Sequence, residues 1–458
     1  MHTEKHVQAA ALIEHGEPVE ALKIVNAILA YDFDDPAALF LLGNIEARME
    51  HYAQAALAFR RALELQPTKH QIVNNLGMAL EGLGREDEAR KHFMRAHKMA
   101  PKHPNYIINI GMTYVTENPV ESERWANLAV DVAPDSPMAH TCRGFSRLAQ
   151  KKWAGGWDDY RHAIGGKFRE KVDFGLPDWS GERDAHVLVA AEQGIGDEIM
   201  FAQCLPELQA MSESVTVDCD QRLVKLMKRS FPGITFHGTR RSEKAWFDDH
   251  PAQYQIMCAD MPRFFRRDDA SFTRKVYLTV DPELRAMYEA LQVRYAGDRL
   301  RVGICTIAGH MPYNMRKRTV GVEAFRPLIE GFGDRCAFFS LDYKNDSASA
   351  VAASGLPIKH HHFAVGQGAD FDHTAAFIDS LDLVVGIHTT AFHVAGALGK
   401  RALAFVPYHP SWQYGVGLGN DFPWYSQMKL YRQGRGEDWG QTIQRFTKHD
   451  AESHLCRV

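Results

Sequence analysis

The sequence has no run approaching the roughly 18 consecutive apolar residues that a membrane span requires. Its first residues, MHTEKHVQAA, lack the apolar core of a secretory leader, so neither a span nor export is expected. Charge of one sign is lacking too. Lys+Arg 53 against Asp+Glu 57 leaves a net −4, too little to draw the chain to nucleic acid or an anionic membrane. Cysteine is scarce and unpatterned: the seven residues (142, 204, 219, 258, 305, 336 and 456) form no C-x-x-C pair. That excludes a disulfide frame and the usual zinc spacings, and a cytoplasmic protein with reduced thiols is the expectation. What is present is ordinary for a globular chain, 45% hydrophobic and 24% charged, over 458 residues that suggest about three domains.

The first third is repetitive. Gly43, Gly77 and Gly111 recur at the 34-residue period of tetratricopeptide repeats, each after an apolar residue (Leu42, Leu76, Ile110). Ala21, Ala55 and Ala89 keep the same period, as do Phe59 with Phe93, Ala62 with Ala96, and Pro67 with Pro101. These are the L-G, A-x3-F and closing Pro positions of the pattern, in which small residues let two antiparallel helices approach. "PAALFLLGNIEARMEHYAQAALAFRRALELQP" is one whole unit, and a fourth begins at Pro137 and drifts into "KKWAGGWDDYRHAI". Such α-solenoids offer a concave face to extended peptide, so a protein or peptide partner is expected. Asn75 and Asn109 precede L-G and I-G, with Asn74 beside the first. Their amides either hydrogen-bond a peptide backbone in both directions or are solvated helix residues.

From about residue 184 short apolar runs alternate with amphipathic segments, the rhythm of βαβ units and a parallel sheet. Strands are expected at 186–191, 215–219, 233–237 and 254–258, then at 301–307, 336–341, 358–365, 382–387 and 401–407. Two α/β halves joined near 295–300 suggest twin Rossmann-like lobes, with ligands beyond the carboxyl ends of the strands. The first strand runs into "AEQGIGDE", a Gly-x-Gly turn that matches no common phosphate fingerprint. Ile199 stands where a dinucleotide loop needs its third glycine, and Asp197–Glu198 stand where a Walker loop needs Lys and Ser or Thr. Those acids would repel a phosphate, so Gln193, Gly194 and Gly196 are read as cleft-loop residues facing something else. The better anion site is "DLVVGIHTTAFHVAGALGK". There a buried strand stops at Gly386, Thr389 and Thr390 sit at a helix start, and Gly399 is placed to close it. Free N–H groups and the positive helix end converge there, and His388 adds a donor. The bland alternative is an ordinary Thr-capped helix.

These motifs, with "GGWDDYRHAI", "PDWSGE", "AEQGIGDEIMFAQCLPEL", "RVGICTIAGH", "CAFFSLD", "VPYHPSWQYG" and "FPWYSQMKLYRQ", span nearly the whole chain. Together they resemble bacterial tetratricopeptide-repeat proteins carrying a GT-B glycosyltransferase domain, similar to heptosyltransferase-like (family 9) enzymes and, more remotely, to protein O-GlcNAc transferase. The resemblance implies an α + α/β chain: a repeat solenoid over 1–150, a helical linker over 151–183, an acceptor lobe over 184–298 and a nucleotide-sugar lobe over 299–458. It implies metal-independent sugar transfer, with the nucleotide sugar as substrate and no further cofactor. The acceptor would be a Ser or Thr hydroxyl of a bacterial protein such as flagellin, held by the repeats. Asp197 matches the family's candidate general base, with Glu198 a competitor; a helix-dipole role is the alternative for Asp197. His388–Thr389–Thr390 departs from the usual Asp-Thr of heptosyltransferases and is closer to the His-Thr-Thr of O-GlcNAc transferase. "AGHMPYNMRKRTV" also departs from the usual segment, and Arg316, Lys317 and Arg318 either balance a leaving diphosphate or belong to a solvated loop.

Further candidates follow. Asp342, with Tyr343 and Lys344, follows a strand where related folds meet the nucleotide base. Thr374 is read as opening a helix near Asp370 and Asp372, either toward the donor or as a cap. Trp412 and Tyr414 either wall the sugar pocket or pack in the core. His360–His361–His362 resembles a metal tract, but alternate strand residues face opposite ways, so no metal is expected. Two rival readings remain: a transferase acting on lipopolysaccharide or another glycan, and a repeat scaffold whose transferase domain is inactive.

Overall fold

Proline opens several helices of the first third, and one of them also has an acidic cap. Asp35 accepts hydrogen bonds from the backbone N–H of Ala37 and Ala38, and Pro36 opens the helix behind it. In a computed structural model, which describes residues 2–240, 245–247, 252–307, 319–344, 346–365 and 370–455, the chain divides into Met1–Arg147 and Leu148–Val458.

The first unit is a run of antiparallel helix pairs: α1 (His2–Glu14), α2 (Pro18–Tyr31), α3 (Pro36–Arg48), α4 (Tyr52–Leu65), α5 (His70–Gly82), α6 (Glu86–Met99), α7 (Pro104–Tyr114), α8 (Pro119–Val132) and the start of α9 (Pro137–Ala149). The repeated glycines face the repeated phenylalanines. A Cβ on Gly43 would stand 2.5 Å from the Phe59 ring, and one on Gly77 would stand 2.6 Å from Phe93. Both rings are fully buried, so the 34-residue period is one packing contact made twice. In the third pair the partner changes: Gly111 faces the Cys142 thiol and Trp125.

The second unit carries two parallel sheets. In the first, β1 (His186–Ala190), β2 (Ser214–Asp218), β3 (Thr235–His237) and β4 (Tyr254–Met257) take the order β3-β2-β1-β4. In the second, β5 (Leu300–Cys305), β6 (Cys336–Ser340), β7 (Ile358–His360), β8 (Leu383–Ile387), β9 (Ala402–Val406) and β10 (Met428–Arg432) take the order β10-β9-β8-β5-β6-β7. Read from β7, this is the doubly wound 3-2-1-4-5-6 order, whose switch point lies between β5 and β8. The matching reversal in the first sheet lies between β1 and β4. Strands β6, β8 and β9 are buried along their whole length, as parallel strands covered on both faces must be.

Three expectations need correction. Residues 151–183 are helical only over α10 (Trp153–Tyr160) and the short turn Arg161–Ala163. The strand expected at 358–365 stops at His360, because a new helical turn begins at His362. Strand β10 was not among the expected strands; its Lys429 is exposed at the sheet edge, which breaks the apolar run that marks its neighbours.

Candidate functional site

The loop after β8 is fixed by a glycine that nothing else could replace. Gly386 has φ +135, and a Cβ there would stand 2.1 Å from the carbonyl oxygen of Cys305 on β5. His388 follows, buried, with Nδ1 3.4 Å from the Phe405 carbonyl and its ring 4.2 Å from that of Tyr414. A carbonyl only accepts, so the proton of this bond belongs to Nδ1. Thr389 is the N-cap of the helix Thr390–Ala397, but its side chain makes no capping bond to that helix. The first turn therefore keeps its positive end without a side-chain cap from Thr389, as an anion site requires. Gly399, at φ +71, lies just beyond the helix end.

The loop after β1 holds three acids in three environments. Glu192 is buried against Arg169, whose Nε donates to Oε2 at 2.8 Å and whose Nη2 bonds the other oxygen. Burial raises the Glu192 carboxyl above its ordinary value, and Arg169 works against that shift. Glu198 is buried too; its Oε2 accepts from the Asp220 N–H at 2.9 Å, and Oε1 lies 2.9 Å from Arg240 Nη2 in an ion pair without hydrogen-bond geometry. Burial pushes Glu198 up to about 7 despite Arg240. Asp197 is half-buried in the first turn of the helix Ile195–Phe201, whose N-cap is Gly194. Its Oδ2 lies 3.4 Å from where a Cβ on Gly194 would stand, so the carboxylate lies against the start of its own helix. Gln193 donates from Nε2 to the Tyr160 hydroxyl at 2.7 Å and accepts from Arg240 at its carbonyl.

The two loops meet. A Cβ on Gly196 would stand 3.0 Å from His393 Cδ2 and 3.5 Å from Thr390 Oγ1, both on the helix that follows β8. The bare backbone of Gly196 thus lets the helices Ile195–Phe201 and Thr390–Ala397 close on one another. His393 is buried there, its Nδ1 3.2 Å from the Tyr425 hydroxyl, and burial lowers its pKa to about 4, so the imidazole is neutral at ordinary pH. Tyr277 donates to the Ile199 carbonyl at 2.8 Å, Gln203 Nε2 donates to the Trp424 carbonyl at 2.7 Å, and Lys225 pairs with Asp370 at 2.7 Å. Arg229 pairs with Asp372. The two sheets are therefore tied together beside the paired switch points.

Other candidates fall elsewhere. Asp342 is buried and turned inward: it accepts from Thr306 N at 2.8 Å, Thr306 Oγ1 at 2.6 Å and Ile307 N at 3.1 Å, which fixes the loop after β5. Thr374 lies inside the helix Phe371–Asp379 and donates to the Ala364 carbonyl at 2.6 Å; the cap of that helix is Asp370, not Thr374. Trp412 and Tyr414 are buried. Arg316, Lys317 and Arg318 lie outside the described residues. In the first unit Asn75 and Asn109 belong to a ladder. Asn109 Nδ2 donates to Asn74 Oδ1 at 2.9 Å, Asn74 to Asn75 at 3.1 Å, and Asn75 to Asn44 at 2.8 Å. Asn44 was missed because it follows its L-G pair instead of preceding it. Tyr160, Arg169, Arg240 and His393 were not singled out by sequence, although Tyr160 lies within "GGWDDYRHAI" and His393 within "DLVVGIHTTAFHVAGALGK".

The tetratricopeptide repeat family matches residues 41–104. "Protein FlbA" of Caulobacter vibrioides is 25% identical over 499 residues, covering 96% of this chain and 82% of the relative. "Anaphase-promoting complex subunit 3" of Schizosaccharomyces pombe is 32% identical over 98 residues, 21% of this chain and 15% of that protein. Among solved structures, MamA from Desulfovibrio magneticus has 20% identity and a TM-score of 0.31, covering 35% of this chain and 89% of its own. YrrB, described as a TPR protein with an unusual peptide-binding site, has 20% identity and a TM-score of 0.29, covering 34% and 80%. No helix among the described residues is long and apolar enough to cross a membrane. The N-terminal part of the chain is a tetratricopeptide-repeat solenoid, and such repeats suggest a protein partner.

Proposed function

We propose that the second unit is a metal-independent GT-B glycosyltransferase, moving a sugar from a nucleotide sugar to a Ser or Thr hydroxyl of a bacterial protein, such as flagellin, held by the repeats. The observation that carries this reading is the meeting of the Gly196 loop with the uncapped start of the helix Thr390–Ala397 at the two switch points. The donor diphosphate sits at that helix start, taking N–H bonds and the dipole, with His388, Thr389 and Thr390 around it. Asp197 takes the proton of the acceptor hydroxyl as its oxygen bonds the anomeric carbon. The bond from that carbon to the phosphate oxygen breaks, and the nucleotide leaves with its charge facing the helix end. Arg316, Lys317 and Arg318 are proposed to add positive charge to the leaving group.

The repeat match over 41–104 is consistent with a second reading, in which the chain is a repeat scaffold whose transferase domain is inactive. A melting experiment separates the two. Titration of the full chain with UDP-, GDP-, CMP- and ADP-sugars should raise the melting temperature with at least one donor. Silence across the whole panel favours the scaffold.

A further inference from the structure

Two buried residues of the stretch before β1 reach the Asp197 loop. Tyr160, the last residue of α10, receives the Gln193 amide at 2.7 Å, and its ring lies 5.3 Å from that of Trp412, tilted by 59°. The Arg169 guanidinium lies 4.6 Å from the same ring. Arg169 is fully buried and joins both sides of the first sheet's switch point: the carboxylate of Glu192 after β1, and Asp260 Oδ1, at 2.7 Å, after β4. A buried arginine between two carboxylates holds its partners firmly, because losing one leaves an uncompensated charge. Glu192 and Gln193 are thus gripped by Arg169 and Tyr160, just ahead of Gly194, which caps the helix that carries Asp197. Across the seam, Trp412 touches Tyr160, and Tyr414, in the same turn as Trp412, lies against His388.

We propose that Tyr160 and Arg169 are positioning residues: they set the loop that carries Asp197 against the His388 loop, and so fix the acceptor hydroxyl relative to the donor. This rests on the transferase reading. Neither residue touches the reacting atoms. Their effect is on turnover, since a displacement of about 1 Å in a reacting group costs up to about 100-fold in rate.

Tyr160→Phe in the full chain keeps the ring and removes only the hydroxyl. The expected result is a kcat lower by roughly tenfold, with donor KM and melting temperature close to those of the wild type. Hydrogen exchange of the amides from 193 to 198 should quicken, and quicken further in Arg169→Lys, which loses the two-pronged grip on Glu192. Unchanged exchange in both variants overturns the proposal, as does a kcat loss matched by a fall in melting temperature. If the wild type turns over no nucleotide sugar, the transferase reading fails on that result alone, and the exchange measurement still decides whether these two residues hold the loop.

Discussion

Glu192, Asp197 and Glu198 are close neighbours in sequence and differ in what surrounds them. Burial dominates at Glu192 and Glu198, and each has an arginine that only partly offsets it. A carboxyl raised to about 7 from an ordinary 4.5 keeps a proton in the folded chain that the unfolded chain releases. Stability attributable to Glu198 is therefore present at low pH and is lost as pH rises from about 4.5 to about 7. Urea unfolding across that window should show stability falling less, or rising more, with pH in Glu198→Gln than in the wild type; an identical slope would remove Glu198 from this balance. His393 acts in the opposite sense. Its pKa is lowered to about 4, so its contribution is lost as pH falls from 6.5 toward that value.

At the scale of elements, glycines decide how closely segments approach. Gly386 lets β8 pass β5, and the blocking atoms are backbone, which cannot swing away. Gly386→Ala should lower stability by at least about 2 kcal/mol, read by urea unfolding, and a near-neutral result would mean the β5–β8 pairing is misread. Gly196 meets a side chain instead, so alanine there should be milder. In the repeats, the asparagine ladder is the element with a prediction of its own. Asn75→Ala with Asn109→Ala should weaken acceptor binding, measured by titration of peptide, while leaving the donor-induced melting shift intact. Loss of the donor shift in that variant would argue for general damage. The repeat contacts were legible in sequence because one packing solution recurs: Gly43 with Phe59 and Gly77 with Phe93 mark themselves by spacing. Nine of the ten strands among the described residues were legible in sequence, although 358–365 was read too long.

For the whole molecule, what could not be read from sequence is long-range. Tyr160 and Arg169 lie far along the chain from Asp260 and Trp412, and no period or motif links them. Asp342 reads as a loop residue facing ligand, yet its carboxylate is spent on Thr306 and Ile307 from the neighbouring strand's end. Thr374 reads as a cap, yet Asp370 starts that helix. The acids of "AEQGIGDE" could be set apart from a phosphate loop by charge alone, but only packing shows Glu192 and Glu198 buried against arginines and Asp197 half-buried in the first turn of its helix. The most direct test of the transferase reading is nucleotide release and sugar incorporation into flagellin from UDP-, GDP-, CMP- and ADP-sugars, followed by intact mass, in the wild type and in Asp197→Asn. The account predicts that at least one donor is consumed and that the variant is slower by roughly 100-fold or more with its fold intact. Consumption of no donor, or an Asp197→Asn chain as fast as the wild type, would contradict it.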